Sequence, residues 1–347
     1  MPEPALFSVR DLHVAFRARG RPAVAVEELS FDLAPGEMLG IVGESGSGKS
    51  VSMLSMLGLV PNPNLQVSGS ARFRGRELLG ATPEVLRSIR GKDIALVPQD
   101  PMTALTPVYT VGWHIAEQLR AHRDISRRAA RTRAIELLAE VGIPNPERRV
   151  DNYPHEFSGG MRQRAVIAMA LSCEPSLVIA DEPTTALDVT SQAQILDLLR
   201  RLRAEHGSSV VLITHDMGVV SEMADRVLVM YAGRAVEVGP RSRVFRSPGH
   251  PYTWGLLESV PRITTGAAGV RPRSRRLPTI PGAPITPAEA GRGCVFASRC
   301  RHRFDRCDER PPLHPSGDAA DHVDACWLPI LDRPAARAAE ARAEDVA

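Results

Sequence analysis

Eight residues, Gly43-Glu44-Ser45-Gly46-Ser47-Gly48-Lys49-Ser50, constrain this chain more than any other stretch. They have the G-x-x-x-x-G-K-[ST] spacing of a phosphate-binding loop. They follow an apolar run at 38–42 and open into residues 51–57, so the pattern reads strand, loop, helix. Glycines at 43, 46 and 48 let the backbone curl until successive N–H groups face one concavity, and the helix start adds its positive end. An anionic phosphate fits there. Lys49 is predicted to reach the β- and γ-phosphates as a point charge, and the Ser50 hydroxyl to ligate Mg²⁺, which prefers oxygen donors. Glu44 is expected to face solvent.

The rest of the chain supplies the sheet such a loop needs. Short apolar runs at 94–98, 177–180 and 210–214 alternate with helical patterns over about 159–173 and 192–206, which predicts a parallel sheet flanked by helices. Residues 7–33 read as strands of an antiparallel edge sheet, 69–78 as a hairpin, 111–142 as a helical insertion, and 227–238 as a hairpin closing the domain near residue 240. Ligands in such sheets sit at the carboxyl ends of strands. Gly43, Gln99, Asp181, Glu182 and His215 all fall at such ends. Asp181 suits the magnesium ion, Glu182 is placed to take a proton from an attacking water, and His215 to bond the γ-phosphate. Ser158-Gly159-Gly160 begins a helix and offers a second anion site. One nucleotide does not need both, so the site is expected to be shared between two chains. With only one phosphate loop here, the second must come from another chain.

Composition excludes little. A length of 347 residues allows about two domains. A net charge of +3 does not argue for nucleic acid as a partner. No run approaches the ~18 apolar residues of a membrane span, and Met1-Pro2-Glu3-Pro4 lacks a basic region followed by an apolar one, so a cytoplasmic location is expected.

The end of the chain changes character. Prolines cluster over 261–290, which predicts an extended connector, and Arg271, Arg273, Arg275 and Arg276 read as part of a solvated linker. Cys173 stands alone and reads as a small buried hydrophobe. Cys294, Cys300, Cys307 and Cys326 are spaced x5, x6 and x18. In a reducing compartment such a group reads as a metal site, and four thiolates suit either zinc or an iron–sulfur cluster. The Ala/Arg/Glu-rich residues from 335 on read as a short exposed helix or as disordered.

In combination these motifs resemble the nucleotide-binding subunits of ABC transporters: GESGSGKS (43–50), Gln99 in VPQDP, FSGGMRQR (157–164), LVIADEP (177–183), TTALD (184–188) and ITHD (213–216), in that family's order over about residues 5–245. The resemblance implies an α/β P-loop NTPase of the ABC type, with a parallel core sheet, an antiparallel edge sheet and a helical subdomain over about 100–165. It implies that Phe16 stacks on adenine and that Gln99 couples magnesium and water to a membrane partner. It further implies that Ser158, Gly159 and Gly160 close over the other subunit's ATP, and that Asp188 lies at the dimer interface. Met161 departs from the glutamine many members carry there.

HPYTWGLLESVP (250–261), PGAPI (281–285) and GCVFASRC (293–300) resemble the C-terminal extension of oligopeptide and dipeptide permease ATPases, predicted here over 246–335 with a tail over 336–347. That resemblance implies a [4Fe-4S] cluster on the four cysteines. It implies a peripheral ATPase on the cytoplasmic face of the membrane, working as a heterodimer with a second ATPase beneath two membrane-spanning permease subunits fed by an extracytoplasmic binding protein. Peptide is the implied cargo, with nickel or another small solute as the alternative. A soluble ABC ATPase acting on DNA or the ribosome is disfavoured, because the chain has neither a long coiled coil between its motif halves nor a second ATPase domain.

Overall fold

The computed structural model describes residues 4–18, 22–185, 187–260, 279–287, 289 and 291–338. The arginines at 271, 273, 275 and 276 lie outside these residues, as does most of the tail. In chain order the strands are β1 (Phe7–Phe16), β2 (Ala23–Leu33), β3 (Met38–Val42), β4 (Leu65–Phe73), β5 (Arg76–Glu77), β6 (Ile94–Val97), β7 (Leu177–Asp181), β8 (Ser209–Thr214), β9 (Arg226–Tyr231), β10 (Arg234–Pro240), β11 (His314–Ser316) and β12 (Ala319–Asp324).

They form two sheets. The expected antiparallel edge sheet has the order β2-β1-β4-β5, and the core sheet the order β11-β12-β10-β9-β3-β8-β7-β6. Strands β9, β3, β8, β7 and β6 are parallel. Their apolar runs follow from burial on both faces, as parallel sheets require. All five residues of β3 and of β7 are buried.

Side chains alternate between two cores with the period of a strand. On β7, Val178 and Ala180 pack with the helices Gly159–Leu171 and Val189–His206, while Leu177 and Ile179 pack toward the edge sheet and the helix Lys49–Met56. On β8, Val210 and Leu212 take the first face, Val211 and Ile213 the second.

The helical insertion forms as two helices, Val111–His122 and Arg127–Glu140, that bury Leu119, Ala134 and Leu138 against the helix Gly159–Leu171 side of the sheet. A hydroxyl starts each of the three: Thr110 accepts from Trp113 N (3.2 Å), Ser126 from Ala129 N (3.2 Å) and Ser158 from Met161 N (3.3 Å).

One expectation needs correction. The hairpin β9–β10 does not close the sheet near residue 240: β12 pairs antiparallel with β10, Glu237 opposite Asp324 and Val238 opposite Val323. The C-terminal region thus extends the core sheet itself. Short-range periodicity could not announce this, because β12 (AADHVD) is polar at half its positions and its partner lies more than eighty residues earlier.

Buried hydrogen bonds and one buried ion pair fasten this addition. Glu237 is fully buried and accepts from Gly249 N (2.8 Å), from His250 N (3.0 Å) and from His322 Nε2 (2.7 Å). Arg333 grips Asp324 with both terminal nitrogens, at 2.6 and 3.0 Å, and the Asp324 side chain is 0% exposed. Removing one member of such a pair leaves a charge stranded in the interior. Arg333→Ala is therefore expected to destabilise the protein by about 3–5 kcal/mol in urea unfolding; a change below about 1 kcal/mol, the surface-pair range, would show that the pair does not hold the extension.

Candidate nucleotide-binding site

The phosphate loop leaves β3 and curls back over it. Gly46 and Gly48 adopt φ of +80° and +96°. A Cβ at Gly48 would stand 2.7 Å from the Ala25 carbonyl oxygen, so both its backbone angle and its surroundings require glycine. Lys49 folds back inside the loop, its Nζ donating to the carbonyls of Gly43 (2.6 Å) and Glu44 (2.9 Å). Burial lowers its pKa, an effect opposed by Glu182, Asp181 and Glu44.

A cavity of about 1110 Å³ opens over the loop. Residues 43–50 form its floor, Phe16, Val24 and Ala25 one wall, and Gln99, Glu182 and His215 another. The structure thus brings together, around one space, residues that stand far apart in the sequence.

Asp181 lies just beneath. Ser50 Oγ donates to Asp181 Oδ1 (2.7 Å), which gathers two hard oxygen donors at one point. That donor set fits Mg²⁺. Burial raises the Asp181 carboxyl above its usual range, with the Ser50 hydrogen bond opposing and the neighbouring Glu182 reinforcing.

Glu182 is held on three sides. Its Oε2 accepts from Gln99 Nε2 (3.1 Å) and from Thr185 Oγ1 (2.9 Å), and its Oε1 stands 3.3 Å from His215 Nδ1. Its backbone is left-handed, φ +45°, a costly conformation for a residue with a Cβ and one that turns the carboxylate off the end of β7.

Ser158, Gly159, Gly160 and Asp188 do not line this cavity. They adjoin each other elsewhere: Asp188 caps the helix Val189–His206, accepting from Ser191 N (2.9 Å) and Ser191 Oγ (2.7 Å), and a Cβ at Gly160 would stand 3.0 Å from that same Ser191 Oγ. Those hydrogen bonds lower the Asp188 pKa.

Glu44 contradicts its expectation. Its carboxylate is not directed to solvent but is clasped by Arg299, Nη1 to Oε2 at 2.6 Å and Nη2 to Oε1 at 3.1 Å. Its backbone N–H donates to Tyr252 Oη (2.8 Å). Sequence reasoning missed both partners, and also missed Ile280, Gly282, Pro284 and Pro287, which line the cavity from the C-terminal region. The only signals were an acidic residue in the middle of a loop built for anions and an arginine 255 positions away.

The cysteine expectation is met only in part. Cys173 is buried as predicted. The other four line one small pocket with His250, Phe296 and Trp327. Among the described residues, however, no group of three or more His, Cys, Asp or Glu side chains is arranged to hold a metal ion. Cys326 Sγ instead accepts from Leu328 N (3.4 Å). Burial raises the Cys294 pKa and pushes Cys326 up to about 12.

Two family models match the chain: ABC transporter over residues 26–185, and the oligopeptide/dipeptide transporter C-terminal region over 236–307. A Brucella melitensis protein, named provisionally as a peptide import ATP-binding protein, is 50% identical over 320 residues, covering 90% of this chain and 94% of that one. The dipeptide transport ATP-binding protein DppD of Bacillus subtilis is 48% identical over 324 residues, covering 93% and 94%. Among solved structures, the dimeric ATP-binding cassette MJ0796 bound to ADP and Pi aligns with a TM-score of 0.61 at 26% identity, over 68% of this chain and 98% of that one. CbiO1 of Clostridium perfringens, part of the ABC transporter complex CbiONQ, aligns at 0.59 and 27% identity, over 71% and 92%. The chain belongs to the ABC transporter family. It is an ABC-type ATPase.

Gly48→Ala is expected to strain the loop against Ala25 and to weaken Mg-ATP binding by tenfold or more. Titration of the variant with a fluorescent ATP analogue checks this; an unchanged dissociation constant would mean that the loop geometry does not set affinity.

Proposed function

We propose that this chain is the ATP-hydrolysing subunit of a peptide importer, working with ATP held across two ATPase chains. The observation that carries the catalytic half is the Glu182 carboxylate, fixed by Gln99, Thr185 and His215 at the carboxyl end of β7 and facing the phosphate loop.

In this reading the adenine lies against Phe16, and the phosphates rest on the N–H groups of residues 43–50 and on Lys49. Ser50 and Asp181 would hold Mg²⁺, with Gln99 close by, where the ion supplies charge neutralisation between the phosphate groups. Glu182 takes a proton from the attacking water, and His215 donates a hydrogen bond toward the γ-phosphate. Catalysis is positioning and charge stabilisation.

The placement of Ser158, Gly159, Gly160 and Asp188 away from the chain's own cavity supports their serving the partner's nucleotide. The two helix starts present N–H groups on a shared surface, where a partner's phosphate loop completes the site. A different ATPase chain is the proposed partner.

The cargo follows from the relatives' names, and the partners from that cargo: two permease subunits in the membrane and an extracytoplasmic binding protein. Among the described residues no helix is long and apolar enough to cross a membrane, which is consistent with peripheral attachment at the cytoplasmic face. Val108, Tyr109 and Trp113 are exposed, the two rings stacked at 3.9 Å, on the segment that begins at Gln99. A permease segment seated on this apolar patch has a short covalent path to Gln99 and hence to Glu182.

Four cysteines share one pocket and, once deprotonated, are the donor set of a [4Fe-4S] cluster; although their side chains are not arranged around a metal here, we propose Cys294, Cys300, Cys307 and Cys326 as its ligands. In this reading the extension that carries them spans 246–335.

Glu182→Gln is expected to bind Mg-ATP with near-native affinity yet lower kcat by about 10²–10⁴-fold. Retained turnover in a steady-state phosphate-release assay would remove Glu182 as base. Anaerobically purified protein is expected to absorb near the visible wavelengths of iron–sulfur centres and to contain iron; a colourless, iron-free preparation would remove the cluster.

A further inference from the structure

The phosphate loop is gripped from outside the ATPase core. Glu44 is fixed at three points: its N–H on Tyr252 Oη (2.8 Å), its carboxylate on Arg299, and its carbonyl under Lys49 Nζ (2.9 Å). A shift of Glu44 therefore moves one of the two carbonyls that aim the lysine.

Arg299 has no donor left over for a phosphate. Its five N–H groups go to Glu44 twice, Tyr231 Oη (3.3 Å), the Ile280 carbonyl (3.3 Å) and the Pro281 carbonyl (2.8 Å). The side chain is 4% exposed and lies 5.7 Å from the Tyr231 ring and 6.0 Å from the Phe296 ring. It lines the cavity, yet its donors are spent on holding the loop.

Both grips are mounted on the walls of the cysteine pocket. Arg299 directly precedes Cys300, and Tyr252 lies two residues after His250, whose Nδ1 accepts from Tyr252 N (3.1 Å); Cys300 and His250 both line that pocket. Phe296, a third wall, packs against Tyr231 (5.3 Å), Tyr252 (5.4 Å) and His250 (5.9 Å). One aromatic ring thus separates the thiols from the residues that hold Glu44.

We propose that Arg299 and Tyr252 are positioning residues of the phosphate loop, and that the cysteine pocket sets their placement and thereby the affinity for ATP. The link rests on the nucleotide reading of the large cavity. It stands on the pocket's walls whatever the four thiols hold.

The test uses full-length protein, with Mg²⁺ and a fluorescent ATP analogue, and measures the dissociation constant together with KM and kcat. Arg299→Gln and Glu44→Gln are each expected to weaken binding about tenfold, within the usual range of coupling between sites, and to raise KM far more than they lower kcat. The double variant should be no weaker than either single, because both remove one interaction. Cys300→Ser should weaken binding in the wild-type background and have no further effect beside Glu44→Gln.

Tyr252→Phe and Glu44→Gln carry the test if Arg299→Gln does not fold, as thermal melting reports. Affinities within twofold of wild type in folded variants would overturn the positioning role. A Cys300→Ser effect that adds fully to Glu44→Gln would overturn the link to the cysteine pocket. Iron content and visible absorption of the same samples are read separately, so a colourless wild type that keeps this coupling removes only the cluster.

Discussion

The site depends on one buried strand. Met38–Val42 has parallel neighbours on both sides, β8 and β9, and apolar cover on both faces, so its carboxyl end cannot shift without disturbing the whole sheet. The phosphate loop inherits that rigidity. The carboxyl ends of β6, β7 and β8 lie along the same edge, which is why Gln99, Asp181, Glu182 and His215 meet the loop although more than a hundred residues separate some of them. Charge is concentrated where the backbone is least able to move, which is what preorganised stabilisation of a phosphoryl transfer demands.

The parts of this arrangement that sequence reasoning reached are those carried by local pattern. Continuous apolar runs announced β3, β7 and β8 because burial on both faces leaves no alternation to misread. The spacing of Gly43 to Ser50 was legible because each residue type answers to a local need, positive φ or a short oxygen donor. Ser158 was recognisable as a helix start by the same logic. His215 and Glu182 were found by their position one residue past a strand, not by anything in their own neighbourhood.

What stayed hidden was long-range pairing. Nothing near Glu44 says that an arginine will cover it, and a glutamate in a loop is more often solvated. β12 shows a mixed pattern because Asp324 is buried against Arg333 while Ala320 and Asp321 are exposed, so its alternation is satisfied by an ion pair rather than by apolar side chains. The four cysteines share one pocket, yet spacing could not say how their sulfurs stand relative to one another. That is fixed by Phe296, His250 and Trp327, which the spacing does not encode.

The pairing of β12 with β10 has a consequence for how the chain is made. A ribosome releases β10 long before β12, so the growing sheet has an open edge along Glu237 and Val238 until the last strand arrives. Arg299 also emerges after the loop it holds. The one C-terminal region therefore does two things at once: it covers the β10 edge and supplies the arginine that clasps the phosphate loop.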